Sequence, residues 1–283
     1  MSSARRPEHI APPDIFYNEE EARKYTQNTR IMEIQSEMAT RCIELLEIPD
    51  EESRLILDIG CGSGLSGECL DDDGHTWVGM DISQSMLSVA LEREVEGDLL
   101  LADMGEGLPF RAGTFDYAIS VSALQWLCNK DKTVHNPIQR LIRFFTSLYA
   151  VLNTGGRAVF QFYPADENQK SLIMAQATRA GFNGGVLIDF PESKKKMKLY
   201  LVLTVGSTVS HSMPDALSDA PASTVSYAKR QSNHQRNKND LRNRTAPKFS
   251  REWILEKKER RRRQGKNVRS DTKYTARKRA DRF

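Results

Sequence analysis

The stretch Leu57-Asp58-Ile59-Gly60-Cys61-Gly62-Ser63-Gly64 continues the apolar run Leu55-Ile56, and it reads as a strand that runs into a glycine loop and opens a helix. Glycine at 60, 62 and 64 permits a tight turn and lets the backbone approach a ligand where a Cβ would clash. Asp58 puts a carboxylate at the carboxyl end of the strand, the end at which open α/β sheets bind ligands. A second acid, Asp81, ends the next strand-like run, Thr76 to Met80. A glycine loop followed by an acid on the neighbouring strand is a layout that grips a nucleoside. The spacing is G-x-G-x-G rather than the G-x-G-x-x-G of a pyrophosphate loop, and an acid just before the first glycine would repel a pyrophosphate. It suits a cationic, amine-bearing ligand.

Working outward, residues 19–47 read as a helix. Ile31, Ile34, Met38, Cys42 and Leu45 recur at three- and four-residue steps, and Pro49 stops the run. Strands are expected at 55–59, 76–80, 98–103, 115–120 and 157–162, followed by a strand pair at 184–190 and 199–205 that looks like a hairpin. Helices are expected at 63–70, 83–94 with Ser83 as N-cap, 137–151 opened by Pro137, and 168–180. Strands alternating with helices call for a mostly parallel sheet covered on both faces.

Charge divides the chain. Residues 228–283 hold 21 Lys and Arg against 6 Asp and Glu, a net of +15, which leaves residues 1–227 at −12. Apolar groups are sparse in this tail, so it is expected to be disordered when free. Residues 212–223 read as a linker, and the segment from Ser250 through Lys258 as a short helix on a partner or on the domain. The basic block 257–266 suits nuclear import or contact with nucleic-acid phosphates. The four cysteines make no C-x-x-C pair, so no zinc knuckle or redox couple is indicated. No run is long and apolar enough for a membrane span, and residues 1–7 carry no secretory h-region.

The glycine loop with its flanking Asp58 resembles motif I of the class I S-adenosyl-L-methionine-dependent methyltransferases. That resemblance implies an α/β fold: a seven-stranded Rossmann-like sheet with helices on both faces, spanning roughly residues 50–206. It also implies a division into an N-terminal helical segment or lid (1–49), a methyltransferase domain (50–209), a linker (210–227) and the basic tail (228–283). Asp58, Gly60, Gly62 and Gly64 are then expected to hold the methionine end of the cofactor. Asp81 would take the ribose hydroxyls, Ile82 would lie against the adenine, Asp103 would bond its amino group, and Met104 would offer a backbone N–H. Ser120 and Trp126 belong to the segment after the fourth strand, Ser120 on the cofactor side and Trp126 toward the substrate. Tyr17, Tyr25 and Arg30 would close over the site as a lid. Bland alternatives remain: Asp81 as a helix cap, Trp126 as core or cofactor wall, the three lid residues as helix surface.

No Asn/Asp-Pro-Pro-Tyr/Phe signature for exocyclic amines and no Pro-Cys nucleophile follows strand four. Guanine N7 presents a free in-plane lone pair and needs no base, so the absence of one permits that target. Phe16 to Arg30, Ser122-Ala-Leu-Gln-Trp-Leu127 and the basic tail, together with motif I, resemble the eukaryotic 18S rRNA guanine-N7 methyltransferase family over nearly the full length. The resemblance implies action in the nucleus, nucleoplasm or nucleolus, with a cytoplasmic pool in reserve. It implies binding to the pre-40S particle and its 18S rRNA, and a Trm112-like zinc-binding activator as heterodimer partner. Strand 98–103, with Leu99-Leu100-Leu101 at the sheet edge, is the surface such a partner would cover. Two other readings stay open: methylation of another RNA, a protein or a small molecule, and a ribosome-assembly role that does not depend on catalysis.

Overall fold

The computed structural model describes residues 6–49, 52–130, 135–193, 195–206 and 214–218, and in the C-terminal part residues 251, 254, 255, 258, 259, 262, 270 and 271. Its centre is a single sheet of β1 (Leu55–Ile59), β2 (Thr76–Asp81), β3 (Asp98–Leu101), β4 (Phe115–Val121), β5 (Leu152–Phe162), β6 (Asn183–Asp189) and β7 (Lys198–Thr204). The spatial order is β3-β2-β1-β4-β5-β7-β6. The pairs among β1 to β5 are parallel, and β7 runs antiparallel to both β5 and β6. This is the expected Rossmann-like sheet closed by a hairpin. The order reverses between β1 and β4, and a crevice forms at that switch point, outside the strand ends.

Helices α1 (Pro13–Phe16), α2 (Glu19–Gln27) and α3 (Thr29–Leu46) precede the sheet; α4 (Leu65–Asp72), α5 (Gln84–Glu92), α6 (Pro137–Val151) and α7 (Glu167–Arg179) connect its strands. The continuous helix expected over 19–47 is broken at Asn28. Asn28 has extended backbone angles, and its side chain accepts from Ile31 N–H, so it ends α2 and caps α3 together. At the other end Glu47 takes a left-handed conformation before Pro49 can act. Ser83 caps α5 as expected, and Asn136 caps α6 ahead of Pro137. On one face Phe144, Phe145 and Leu148 of α6 pack over Phe160 and Leu201, all fully buried. On the other, Cys42, Leu45 and Leu46 of α3 pack with Ile56, Trp77 and Val159. Burying a side chain of this size stabilises by about 1.5–3 kcal/mol, so the two layers hold the sheet rigid beneath the crevice.

The linker expected at 210–227 is not free along its whole length. The buried carboxylate of Asp189 accepts from Arg41 Nε at 2.9 Å and from Leu217 N at 2.8 Å. Arg41 Nη2 also donates to the Asp215 carbonyl at 2.9 Å, and Phe190 N to that of Leu217 at 2.6 Å. Residues 214–218 are thus clasped to α3 and the end of β6, which a composition rich in Pro, Ser and Asp does not foretell. In the C-terminal unit the described residues Arg251, Ile254, Leu255, Lys258, Glu259 and Arg262 are helical, in keeping with the short helix expected there. The expected disorder of the tail falls mostly outside the described residues. No helix among the described residues is long and apolar enough to cross a membrane.

Candidate active site

The carboxyl ends of β1 to β4 and the N-terminal helices enclose a cavity of about 1140 Å³, its open mouth included. That is ample for a nucleoside and a second planar group. Its floor is the glycine loop. Gly60 sits at φ +73°, and a Cβ there would meet Ala123 Cβ at 2.4 Å; Gly62 sits at φ +53°, with Met86 in the way. Both conformations favour glycine, and at residue 60 the close approach to Ala123 demands it.

Asp81, at the end of β2, is built into this loop. Its Oδ2 accepts from Gly62 N at 2.9 Å and its Oδ1 from Ser83 N at 2.8 Å. The enclosing protein raises its pKa, while the backbone N–H groups of Ser83, Gly62 and Ile82 pull it back down. Each oxygen keeps a lone pair for a ligand. Asp58 lies one layer deeper, with no exposed surface. Its Oδ2 accepts from Ser66 Oγ at 2.6 Å, and Ser66 lines the cavity. Its Oδ1 is buried and has no hydrogen-bond partner among the described residues. Burial, and secondarily the charge of Asp81, push the Asp58 carboxyl up to about 7.

Gly60, Gly62, Asp81, Ile82, Asp103, Met104, Trp126, Tyr17 and Tyr25 all line the cavity, as the sequence led us to expect. Four expected residues do not: Asp58, which lies beneath the loop, and Gly64, Ser120 and Arg30. Gly64 (φ +80°) shapes the start of α4 and faces Val95. Ser120 is fully buried, and its hydroxyl donates to the Ile59 carbonyl at 2.7 Å, tying β4 to β1. Arg30 is exposed on the first turn of α3. An isolated helix period cannot say which of its faces meets the pocket.

Asp103 is in place but already engaged. Its carboxylate caps the following 3-10 turn through Gly105 N at 2.8 Å. Arg140 Nη2 reaches both of its oxygens, at 2.6 and 2.8 Å. The other end of that guanidinium, Nη1, donates to His135 Nδ1 at 2.7 Å. Sequence reading missed Arg140 and His135. The signal for Arg140 was an arginine within the apolar stripe of α6, one turn before Phe144, where a charge is costly unless paired.

Over the mouth, the rings of Phe16 and Tyr17 lie 6.2 and 5.9 Å from Trp126, and Tyr25 stands edge-on to Tyr17 at 6.0 Å. Ser83 Oγ donates to the Tyr17 carbonyl at 2.8 Å and fixes this cover to α5. Burial first, then Asp81 and Glu8, push the Tyr17 hydroxyl to about 12, and burial raises that of Tyr25 as well. Both stay protonated donors at neutral pH and cannot serve as bases. Among the described residues no cluster of His, Cys, Asp and Glu is placed to hold a metal ion.

Residues 57–160 match the model of a methyltransferase domain, and residues 203–281 match that of a methyltransferase involved in Williams-Beuren syndrome. The chain is 53% identical to the mouse 18S rRNA (guanine-N(7))-methyltransferase, over 100% of this chain and 99% of that protein. It is 50% identical to the Saccharomyces cerevisiae 18S rRNA (guanine(1575)-N(7))-methyltransferase, over 98% and 99%. Two solved structures share the fold. A TehB-like SAM-dependent methyltransferase from Corynebacterium glutamicum has a TM-score of 0.51 at 20% identity, covering 66% of this chain and 100% of its own. A Haemonchus contortus phosphoethanolamine N-methyltransferase solved with S-adenosylhomocysteine has a TM-score of 0.53 at 18% identity, covering 68% and 59%.

Proposed function

Since this chain belongs to the 18S rRNA (guanine-N(7))-methyltransferase family, we propose that its cavity binds S-adenosyl-L-methionine beside an extruded guanine of 18S rRNA and places the guanine N7 in line with the methyl group. The single observation that carries this reading is the Asp81 carboxylate, held by the Gly62 and Ser83 N–H groups with one free lone pair per oxygen. That is the acceptor pair a ribose diol requires.

The residues fit the cofactor on a second count. The buried, unpartnered Asp58 Oδ1 is an acceptor without a donor, and such an atom costs about 1–3 kcal/mol until a donor reaches it. The ammonium of a methionyl group, approaching past Ser66, supplies one. S-adenosyl-L-methionine, when bound, provides a methyl group made electrophilic by a sulfonium. The chain's share is positioning. Gly60 and Gly62 let the backbone close on the ligand, Ile82 and Met104 wall the adenine, and the packed rings of Trp126 and Tyr17 offer the entering base an aromatic wall and keep water out. No residue has to remove a proton, because N7 attacks with its own lone pair. The protonated Tyr17 and Tyr25 are consistent with this.

Guanine N7 in an A-form helix lies in a groove too narrow for side chains. The target is therefore single-stranded or flipped out when it reaches the cavity, and the basic tail supplies salt-sensitive affinity for the surrounding phosphates. The same tail directs the protein to the nucleus, where nucleolar or nucleoplasmic pre-40S particles are the substrate. A Trm112-like zinc-binding protein covers β3. Among the described residues that strand is hydrogen-bonded only to β2, and it exposes Leu101 at 53%; Leu91 of α5, the helix that leads into it, is exposed at 67%. Strand addition would bury that edge.

The test is transfer of labelled methyl from S-adenosyl-L-methionine to 18S rRNA in pre-40S particles by the full chain with its partner, mapped by strand cleavage specific for 7-methylguanosine. One modified guanine is expected, with none for Asp81→Ala. Label in protein, or at another base atom, would overturn the reading.

A further inference from the structure

The polar groups around the cavity fall into two sets. On the sheet side Ser66 donates to Asp58, Ser122 to Gln161 and Arg140 to Asp103, while each Asp81 oxygen accepts one backbone N–H and keeps a lone pair for the ribose. On the side formed by α1 to α3, Asp14, Tyr17, Tyr25 and Gln35 line the cavity, and their side chains make no hydrogen bond among the described residues. Of the three carboxylates that line it, Asp14 alone has all its acceptor positions open.

Asp14 is also held in place. It lies in α1 directly after Pro12 and Pro13, whose rings fix φ there. Phe16 N and Tyr17 N close the turn onto the carbonyls of Pro12 and Pro13. Ser83 and Trp126 clamp the end of α1, and Asn129 Nδ2 donates to the Glu8 carbonyl at 2.9 Å to pin the segment before it. A carboxylate on so short and well-tethered a turn is a preorganised acceptor.

We propose that Asp14 reads the target base by accepting hydrogen bonds from guanine N1–H and N2–H2. This rests on the cavity being a guanine-N7 site. N7 lies on the opposite edge of the purine from N1 and N2, so a guanine with N7 turned inward to the donor turns its N1/N2 edge toward the cover. Two adjacent donors match the two oxygens of one carboxylate. Adenine, with a bare acceptor at N1, meets repulsion instead, and inosine, without the N2 amine, keeps half of the contact.

The test uses the full chain with its partner and an 18S rRNA fragment rebuilt by splinted ligation, carrying guanosine or inosine at the modified position. Single-turnover methylation by the wild type is expected to favour guanosine by about 10- to 100-fold, the range for one hydrogen bond to a charged group. For Asp14→Asn the guanosine rate is expected to fall and the preference to shrink to about threefold or less, while Asp14→Glu restores part of it. Affinity for S-adenosyl-L-methionine and the melting temperature should stay those of the wild type, since Asp14 is exposed and its side chain makes no hydrogen bond among the described residues. An unchanged preference in Asp14→Asn would overturn the proposal. So would a cofactor affinity that drops as far as the rate, because Asp14 would then serve the donor. A wild type inactive on the guanosine fragment would overturn the guanine-N7 reading itself and this inference with it.

Discussion

Arg140 Nη2 stands within 2.8 Å of both oxygens of Asp103, and the approach is possible only because residue 105 is glycine: a Cβ there would lie 2.2 Å from Arg140 Nε. A buried cation on α6 thereby sets the rotamer of a carboxylate that lines the cavity. Removing one partner of such a pair costs about 3–5 kcal/mol where the other stays buried, and less for Asp103, which is partly exposed. Arg140→Met is expected to lower the melting temperature and to weaken S-adenosyl-L-methionine binding at least tenfold. Gly105→Ala should do the same without touching either charge. Calorimetric titration beside thermal unfolding checks both.

Gly60 combines a left-handed backbone with a 2.4 Å Cβ clash against Ala123. Gly60→Ala is expected to abolish measurable cofactor binding, whereas Gly74→Ala, at φ +85° with open space around it, should cost only the backbone strain of about 1–2 kcal/mol. Comparing the two separates strain from ligand-site geometry.

The pH dependence follows from Asp58. Its carboxyl is pushed to about 7 in the free protein from a usual value of 3.8. A raised carboxylate pKa means that the native state binds the proton more tightly than the unfolded chain does. Its contribution to stability is therefore present below about pH 4, falls as pH rises towards 7, and is gone above that. Asp58→Asn should be more stable than the wild type at pH 8, with the difference closing as pH falls to 4. Cofactor binding runs the other way, since the ammonium requires the ionised carboxylate. Affinity should rise up to tenfold per unit from pH 5.5 to 7, and Asp58→Asn should be weak and flat across that range. Chemical denaturation and titration over pH check the pair of trends.

Leu101 lies exposed on β3, the edge strand of the sheet among the described residues. The chain expressed alone is expected to aggregate, and coexpression with a Trm112-like protein to rescue it. Leu101→Lys should raise the monodispersity of the isolated chain and weaken the heterodimer, measured by light scattering and pull-down. A monodisperse wild-type chain without any partner would rule out this use of β3.

The glycine loop and the acid that floor the cavity were legible in the sequence because their signal is local. A strand, three glycines and the acid on the next strand sit close along the chain and leave a fixed spacing. Ser83 as a cap and Pro137 as a helix start were legible for the same reason. What escaped came from contacts between segments far apart. Arg140 reaches Asp103 across 37 positions, and Arg41 reaches Asp189 across 148. Ser120 faces Ile59 rather than the cavity because strand alternation, not residue type, sets its side. Asn28 broke a helix whose apolar period continued past it, a competition between capping and periodicity that the period alone does not reveal.

The central claim is that Asp81 holds the donor for methylation of guanine N7 in 18S rRNA. Its most direct test is mass spectrometry of nucleosides from 18S rRNA in cells where Asp81→Ala replaces the wild-type chain at equal abundance. The expected result is loss of 7-methylguanosine from that rRNA while the protein remains on pre-40S particles. Persistence of 7-methylguanosine at the wild-type level, with the replacement complete, would contradict it.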